Sequence, residues 1–83
     1  MSSTPKRTES SFRRIAVIGL GAMGGSFARA ATATTSAEVV GWSPDPAERL
    51  SAVDAEAVAA APERWSEAVA GADLVMLAIP LGP

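Results

Sequence analysis

The stretch IAVIGLGAMG at residues 15–24 decides the fold of this chain. It begins with a short apolar run, β-branched at three of its four positions, which predicts a buried strand suited to the middle of a parallel sheet. The run ends at Gly19, and further glycines follow at Gly21 and Gly24. Residues 22–34 have good helix propensity, so we predict that a helix begins inside the glycine cluster.

Strands and helices alternate along the rest of the chain. Asp45 followed by Pro46 is typical of an N-cap with proline at the first helical position. Because strands separated by helices need crossover connections, the sheet is expected to be parallel. Within the first helix, one face carries Met23, Phe27, Ala30, Ala31 and Thr34. The further predicted elements are a strand over 38–42, a helix from Pro46 to Val53, a short strand over 57–60, a helix over 62–70 closed by Gly71, and a strand over 73–79 ended by Pro80.

The glycine spacing G-x-G-x-x-G has a definite physical meaning after a strand and at the start of a helix. Gly19 lets the chain turn tightly, Gly21 lets the backbone approach a pyrophosphate, and Gly24 lets the helix pack closely on the sheet. The free N–H groups and the positive dipole end of the helix then meet the phosphate charge. A P-loop is excluded because no lysine follows Gly24. The sequence therefore predicts an α/β, Rossmann-type parallel sheet with flanking helices, in the incomplete order βαβαβαβ, that binds a dinucleotide.

Length and composition limit what the chain does with such a ligand. A complete Rossmann domain is nearly twice as long as these 83 residues, so we expect a partial domain over 13–83, truncated at its C-terminal end, behind a disordered tail over 1–12. There is no Cys and no His, so we assign no catalytic residue and no metal ligand. The net charge of −2 argues against nucleic acid, and no segment resembles a membrane span or a secretory signal, so we expect a cytoplasmic protein.

The choice between NAD and NADP depends on the tip of the second strand, where an acidic side chain binds the ribose 2′-hydroxyl of NAD. Ser43 occupies the expected position, and Asp45 two residues later is also explained as an N-cap. The cofactor is therefore NAD or NADP, with both open, while FAD is disfavoured. Trp42 either flanks the adenine ribose or packs at the edge of the core, and Trp65 is expected to pack. Pro80 is expected at the carboxyl end of the sheet, where cofactors bind.

Three stretches, at residues 15–30, 39–46 and 72–81, resemble the prephenate and arogenate dehydrogenases, and the triplet GGS at 24–26 is typical of that family. The resemblance implies oxidative decarboxylation of prephenate to 4-hydroxyphenylpyruvate in tyrosine biosynthesis, a branch of aromatic amino acid biosynthesis. It also implies a histidine base, an arginine for a substrate carboxylate and a helical dimerisation domain, all beyond this stretch. We therefore expect a full-length homodimer, prephenate binding only with the downstream domain, and no hydride transfer by these 83 residues alone.

Two alternatives remain beside this oxidoreductase interpretation. The glycine motif also resembles that of the 3-hydroxyisobutyrate dehydrogenase group, and the chain is alternatively a free-standing NAD(P)-binding module without catalysis. The expected cofactor-binding residues lie on the glycine motif, at the end of the second predicted strand and at the end of the last one. They are Gly19, Leu20, Gly21, Ala22, Met23, Gly24, Trp42, Ser43, Ala78, Ile79 and Pro80.

Overall fold

The computed structural model describes residues 12–78, which form one parallel sheet with helices on both faces. The order of strands is β2-β1-β3, so the first strand lies at the centre, with parallel partners on both sides. This is the predicted Rossmann-type α/β fold. In chain order the elements are β1 (Arg14–Ile18), α1 (Ala22–Thr34), β2 (Glu38–Trp42), α2 (Pro46–Asp54), α3 (Trp65–Val69) and β3 (Leu74–Leu77).

The predicted strand over residues 57–60 is reduced to an isolated parallel bridge between Val40 and Ala60. Two hydrogen bonds hold it, from the N–H of Ala59 to the oxygen of Val39 at 2.7 Å and from the N–H of Gly41 to the oxygen of Ala60 at 3.0 Å. The segment is mostly alanine and is soon followed by a proline, so it has little β-propensity with which to extend the ladder. Its position beside β2 still matches the Rossmann order 3-2-1-4, if this segment is counted as the third strand along the chain and β3 as the fourth.

The core lies in two clusters, one on each face of the sheet. On one face, Ile15 and Val17 of β1 pack with Ala28 and Ala31 of α1 and with Ala52 of α2. The other face is smaller, and there the cluster consists of Ile18, Val40 and Ala68, with Trp42 and Val69 packed against it. Alternate residues of β1 thus serve opposite clusters, as the period of a strand requires.

The buried side of α1 overlaps only in part with the helical face predicted from the sequence, since Ala31 is buried and Phe27 packs partly buried against the core. Gly24, Ala28 and Ala31 are the buried residues of this helix, whereas Met23 is 72% exposed and Ala30 and Thr34 are also exposed. The cause is the close approach of Gly24 to the turn before the helix, which rotates small residues toward the sheet and turns the larger Met23 outward. The hydrophobic pattern of the sequence does not include this steric requirement at Gly24.

Several element ends also differ from expectation. The helix predicted over 62–70 begins only at Trp65, and its tryptophan is 58% exposed, so the expectation that Trp65 packs in the core is wrong. A helix of five residues covers too little of the sheet to bury an indole at its own first position. Gly71 follows with the positive φ of 72° expected of a helix-closing glycine.

Three expectations concern residues at or beyond the ends of the described range, 12–78. The predicted tail over 1–12 lies outside them except for Phe12, which is partly buried against the core. Ile79 and Pro80 also lie outside them, so the end of the last predicted strand is not described. Among residues 12–78, no helix has the length and apolar character needed to cross a membrane.

Candidate functional site

The turn that leaves β1 is built on the first glycine of the motif. Gly19 has φ 104°, a backbone conformation that side-chain-bearing residues rarely adopt. Its N–H donates to the carbonyl oxygen of Trp42 at 2.7 Å, which fastens the turn to the end of β2. On the other side, the N–H of Ala78 donates to the oxygen of Ile18 at 2.8 Å. The ends of all three strands therefore converge at this turn.

The third glycine of the motif brings α1 against that turn. A Cβ built on Gly24 would lie 1.7 Å from the carbonyl oxygen of Gly19 and 3.2 Å from the Cβ of Ala78. No real atom occupies such a position beside a backbone oxygen, so residue 24 must be glycine for the helix to lie where it does. This geometry confirms the packing role that the sequence assigned to Gly24.

The second glycine of the motif is in the opposite situation. A Cβ on Gly21 would meet nothing within 4 Å, and the residue is exposed as the N-cap of α1. The space in front of Gly21 is therefore open to a ligand, and a side chain there would occupy it without disturbing the protein. The first intrahelical bond, from the N–H of Gly25 to the oxygen of Gly21, leaves the amides of the first turn ahead of it without an intrahelical acceptor.

The start of α1 also lacks any negative charge of its own. Its first turn holds no acidic residue and its N-cap makes no side-chain hydrogen bond. By contrast, α2 has Asp45 as N-cap and Glu48 in its first turn, and α3 has Glu67 in its first turn. A helix N-terminus favours nearby negative charge. Among the three described helices, α1 has no acidic residue to supply that charge, so a bound anion can supply it.

A cleft of about 500 Å³ opens between α1 and α2 beside the glycine turn. Its walls are mostly small residues, with the charged side chains of Arg29 and Glu48 among them. The cleft is lined by Leu20, Gly21, Ala22, Gly25, Ser26, Arg29, Ala47, Glu48, Ser51, Ala52, Ala55 and Ala57.

At the tip of β2, Ser43 is buried, with only 1% of its surface exposed. Its Oγ donates to Oε1 of Glu48 at 2.6 Å and accepts from the N–H of Asp45 at 3.1 Å. The carboxylate of Asp45 accepts from the N–H of Ala47 at 2.9 Å, which confirms Asp45 as the N-cap of α2. Arg49 lies on α2, and its Nη1 donates to the carbonyl oxygen of Ser43 at 2.8 Å.

Some of the remaining site residues predicted from the sequence lie at the cleft or the glycine turn, and others do not. Leu20 and Ala22 line the cleft, Met23 points outward, and Ala78 lies beside Gly24. Trp42 is half-buried in the opposite core cluster, where its Nε1 donates to the oxygen of Glu63 at 2.9 Å, an arrangement that matches the edge-packing interpretation.

Two charged residues of the cleft, Glu48 and Arg29, were not among the residues singled out from the sequence. A signal for Glu48 existed: it stands three residues after the N-cap Asp45, the position from which a glutamate reaches back toward the N-cap amide in a capping box. Arg29 had no comparable signal, because an exposed arginine on a helix is ordinary. Within residues 12–78 there is no grouping of acidic residues suited to a metal ion.

Comparison with known proteins agrees with this geometry. The family model described as "NADP oxidoreductase coenzyme F420-dependent" matches residues 14–82. Among solved structures, prephenate dehydrogenase from A. aeolicus, in complex with hydroxyphenyl propionate and NAD+, is similar at 26% identity with a TM-score of 0.75. That match covers 82% of this chain and 24% of the other, so this chain spans about a quarter of the solved protein.

No curated protein has a significant sequence match to this chain. The resemblance to prephenate dehydrogenases seen in the sequence is confirmed by the solved structure, which reproduces it over the fold. The family model covers all the residues that form the sheet, the glycine turn and the cleft. The chain therefore belongs to the family described as NADP oxidoreductase, coenzyme F420-dependent, and forms a Rossmann-type oxidoreductase domain.

Proposed function

We propose that this chain is the NAD(P)-binding segment of a prephenate dehydrogenase, which oxidatively decarboxylates prephenate to 4-hydroxyphenylpyruvate. The observation that carries the proposal is the contrast within one motif. Gly24 is locked against Gly19, whereas Gly21 faces open space at the start of a helix without acidic residues in its first turn. A pyrophosphate satisfies both the free amides and the helix dipole at that place.

Each part of the site has a role in this proposal. The amides at the start of α1 bind the pyrophosphate, and the β2 tip around Trp42 and Ser43 holds the adenine ribose. On the β3 side, Ala78 borders the cofactor; the roles expected of Ile79 and Pro80 lie outside the described residues. When bound, the nicotinamide would supply the hydride acceptor for oxidation at the ring carbon that bears the hydroxyl, with loss of carbon dioxide. The residues of this chain bind and orient the cofactor.

The prephenate part of the proposal is supported by the A. aeolicus enzyme, whose complex holds NAD+ together with a hydroxyphenyl compound. This chain contains no histidine, so the base that the resemblance implies is not one of its residues. The resemblance also implies a second, helical domain for substrate binding and a homodimeric full-length protein. For the 83 residues alone we expect cofactor binding without hydride transfer.

The description of the matching family favours a second candidate, an oxidoreductase that exchanges hydride between NADP and coenzyme F420. Both candidates use the same glycine turn, so they differ in the second reactant alone. Assaying the full-length protein with prephenate and NAD(P)+, and in parallel with reduced F420 and NADP+, separates them. Turnover of prephenate supports the first candidate, and turnover of F420 supports the second.

The dinucleotide site itself is tested by Gly21→Val. Because the built Cβ has open space, we expect the variant to fold like the wild type, while its branched side chain blocks the pyrophosphate. The affinity for NAD+ and for NADP+, measured by calorimetric titration, should fall by at least about tenfold, the equivalent of about one charge-assisted hydrogen bond.

Ala33→Val is the matched control, since it adds the same side chain at an exposed position in the last turn of α1. It should leave both affinities unchanged, and circular dichroism should show both variants folded. A folded Gly21→Val protein that retains wild-type affinity would mean that the phosphate site is assigned to the wrong place.

A further inference from the structure

The end of β2 carries a hydrogen-bonded relay that the motif does not anticipate. The N–H of Asp45 donates to Oγ of Ser43 at 3.1 Å, and that hydroxyl donates to Oε1 of Glu48 at 2.6 Å. In a standard capping box the glutamate would reach the N-cap amide directly. Here the serine hydroxyl stands between them, so the carboxylate of Glu48 is held beside the residue that directly follows β2.

Glu48 also lines the cleft that contains Gly21, and it is the acidic residue among those lining it. The nearby carboxylate of Asp45 caps α2 and does not line the cleft. Glu48 has a second carboxylate oxygen beyond the one that accepts from Ser43. The carboxylate presented to the cleft near the β2 tip is therefore that of Glu48, contributed by the following helix instead of the strand.

We infer that Glu48, positioned by Ser43, selects the cofactor by binding the adenine-ribose 2′-hydroxyl, so that the protein prefers NAD(H) to NADP(H). The inference rests on the proposed function and names the ligand class of the same site. A carboxylate accepts a hydrogen bond from a free 2′-hydroxyl and repels a 2′-phosphate. The burial of Ser43 fits this assignment, because its hydroxyl is engaged in holding Glu48.

Two arginines near the cleft could favour NADP(H) instead, because an arginine can bind the 2′-phosphate. Arg49 is tied by its Nη1 to the carbonyl oxygen of Ser43 and does not line the cleft. Arg29 lines the cleft, but it stands eight residues after Gly21, roughly 12 Å along α1 at 1.5 Å per residue. That displacement takes Arg29 away from the strand ends, where the ribose binds.

The test is the ratio of the NAD+ and NADP+ dissociation constants, because the two cofactors differ only in the 2′-phosphate. In the wild-type chain we expect NAD+ to bind more tightly. Glu48→Gln removes the charge while keeping the shape, and it should reduce the preference for NAD+ by about tenfold. Glu56→Gln changes the net charge equally at an exposed position after α2, and should leave the ratio unchanged.

Ser43→Ala provides a second variant, which keeps the carboxylate and removes its anchor. It should lower the preference for NAD+ by less than Glu48→Gln does. If Glu48→Gln fails to fold, the ratio of dissociation constants measured for Ser43→Ala tests the inference instead. A helix-capping role alone would lower the melting temperature in both variants and leave the ratio of dissociation constants as in the wild type, which would overturn the inference.

The same titrations separate this inference from the function on which it rests. A wild-type preference for NADP+ overturns the role of Glu48 while leaving the dinucleotide site intact. If the wild type binds neither cofactor, the proposed function fails and the inference fails with it.

Discussion

The two ends of the sheet use their polar groups in opposite ways. At the amino end, Oδ2 of Asp73 accepts from the N–H of Arg13 at 2.6 Å and from that of Arg14 at 3.0 Å. Nη1 of Arg14 in turn pairs with Oε1 of Glu38 at 2.6 Å. Side chains and amides from the starts of β1, β2 and β3 thus pair with one another, although Nε of Arg14 is buried without a hydrogen-bond partner in the described part of the chain.

At the carboxyl end, the three strands are joined by backbone hydrogen bonds at Gly19 and Ala78. The amides at the start of α1 lack a side-chain cap, and the space at Gly21 is open. The carboxyl end differs in that its uncapped amides stand at a helix N-terminus that faces open space, which is the arrangement that binds an anion. Substitutions at the two ends test this contrast.

The largest effect is expected at the carboxyl end, from Gly24→Ala. Its Cβ would lie 1.7 Å from the oxygen of Gly19, so either α1 or the turn must move. We expect the free energy of unfolding to fall by about 3 kcal/mol or more, the upper part of the range for overpacked sites. Chemical denaturation followed by circular dichroism measures it.

Gly25→Ala is the neighbouring control, because its Cβ would meet the oxygen of Leu20 at an ordinary 3.7 Å. Here the gain in helix propensity should raise the free energy of unfolding by up to about 1 kcal/mol. Equal stability of the two alanine variants would contradict the close contact between α1 and the glycine turn.

At the amino end, Asp73→Asn should change the response of stability to acid. The pKa of Asp73 is lowered from 3.8, chiefly by the backbone N–H of Arg13 and then by that of Arg14, with burial opposing and the charge of Arg13 adding to the lowering. A lowered folded-state pKa means that the stabilisation is fully present above 3.8 and is lost as pH falls through the lower, folded-state value.

Thermal melting between neutral pH and strong acid measures this effect. The melting temperature of the wild type should drop more steeply below pH 3.8 than that of Asp73→Asn, which should already melt lower at neutral pH. Asp54→Asn removes the same charge from the last residue of α2 and should keep the steep wild-type acid limb. Parallel curves for wild type and Asp73→Asn would show that Asp73 does not join the strand starts.

The smallest effect is expected from Glu38→Gln, also at the amino end. The ion pair with Arg14 is short, but the two side chains are 28% and 51% exposed, so solvent screens it. We expect a loss of less than about 1 kcal/mol in unfolding free energy, vanishing near about 1 M salt. The affinity for NAD+ should not change. A loss that persists in high salt, or a weaker affinity, would show that the two ends are coupled.

Much of the fold could be predicted because its signals are local. The bounds of α1 and β2 follow from propensity and glycine position, and Asp45 with Pro46 marks the start of α2. The failures concern packing between elements. Trp65 has an apolar side chain suited to a core, but whether a core reaches it depends on how much sheet α3 covers.

The sequence by itself determined the order of strands and helices, the parallel sheet and the glycine turn, since these depend on neighbours along the chain. Only the tertiary structure decided which face of α1 is buried and which acid stands at the tip of β2. Met23 is the more apolar residue, yet Gly24 faces the sheet because only a residue without Cβ fits beside Gly19. Glu48 reaches Ser43 because α2 folds back against the strand end, a proximity between residues that a linear pattern does not express.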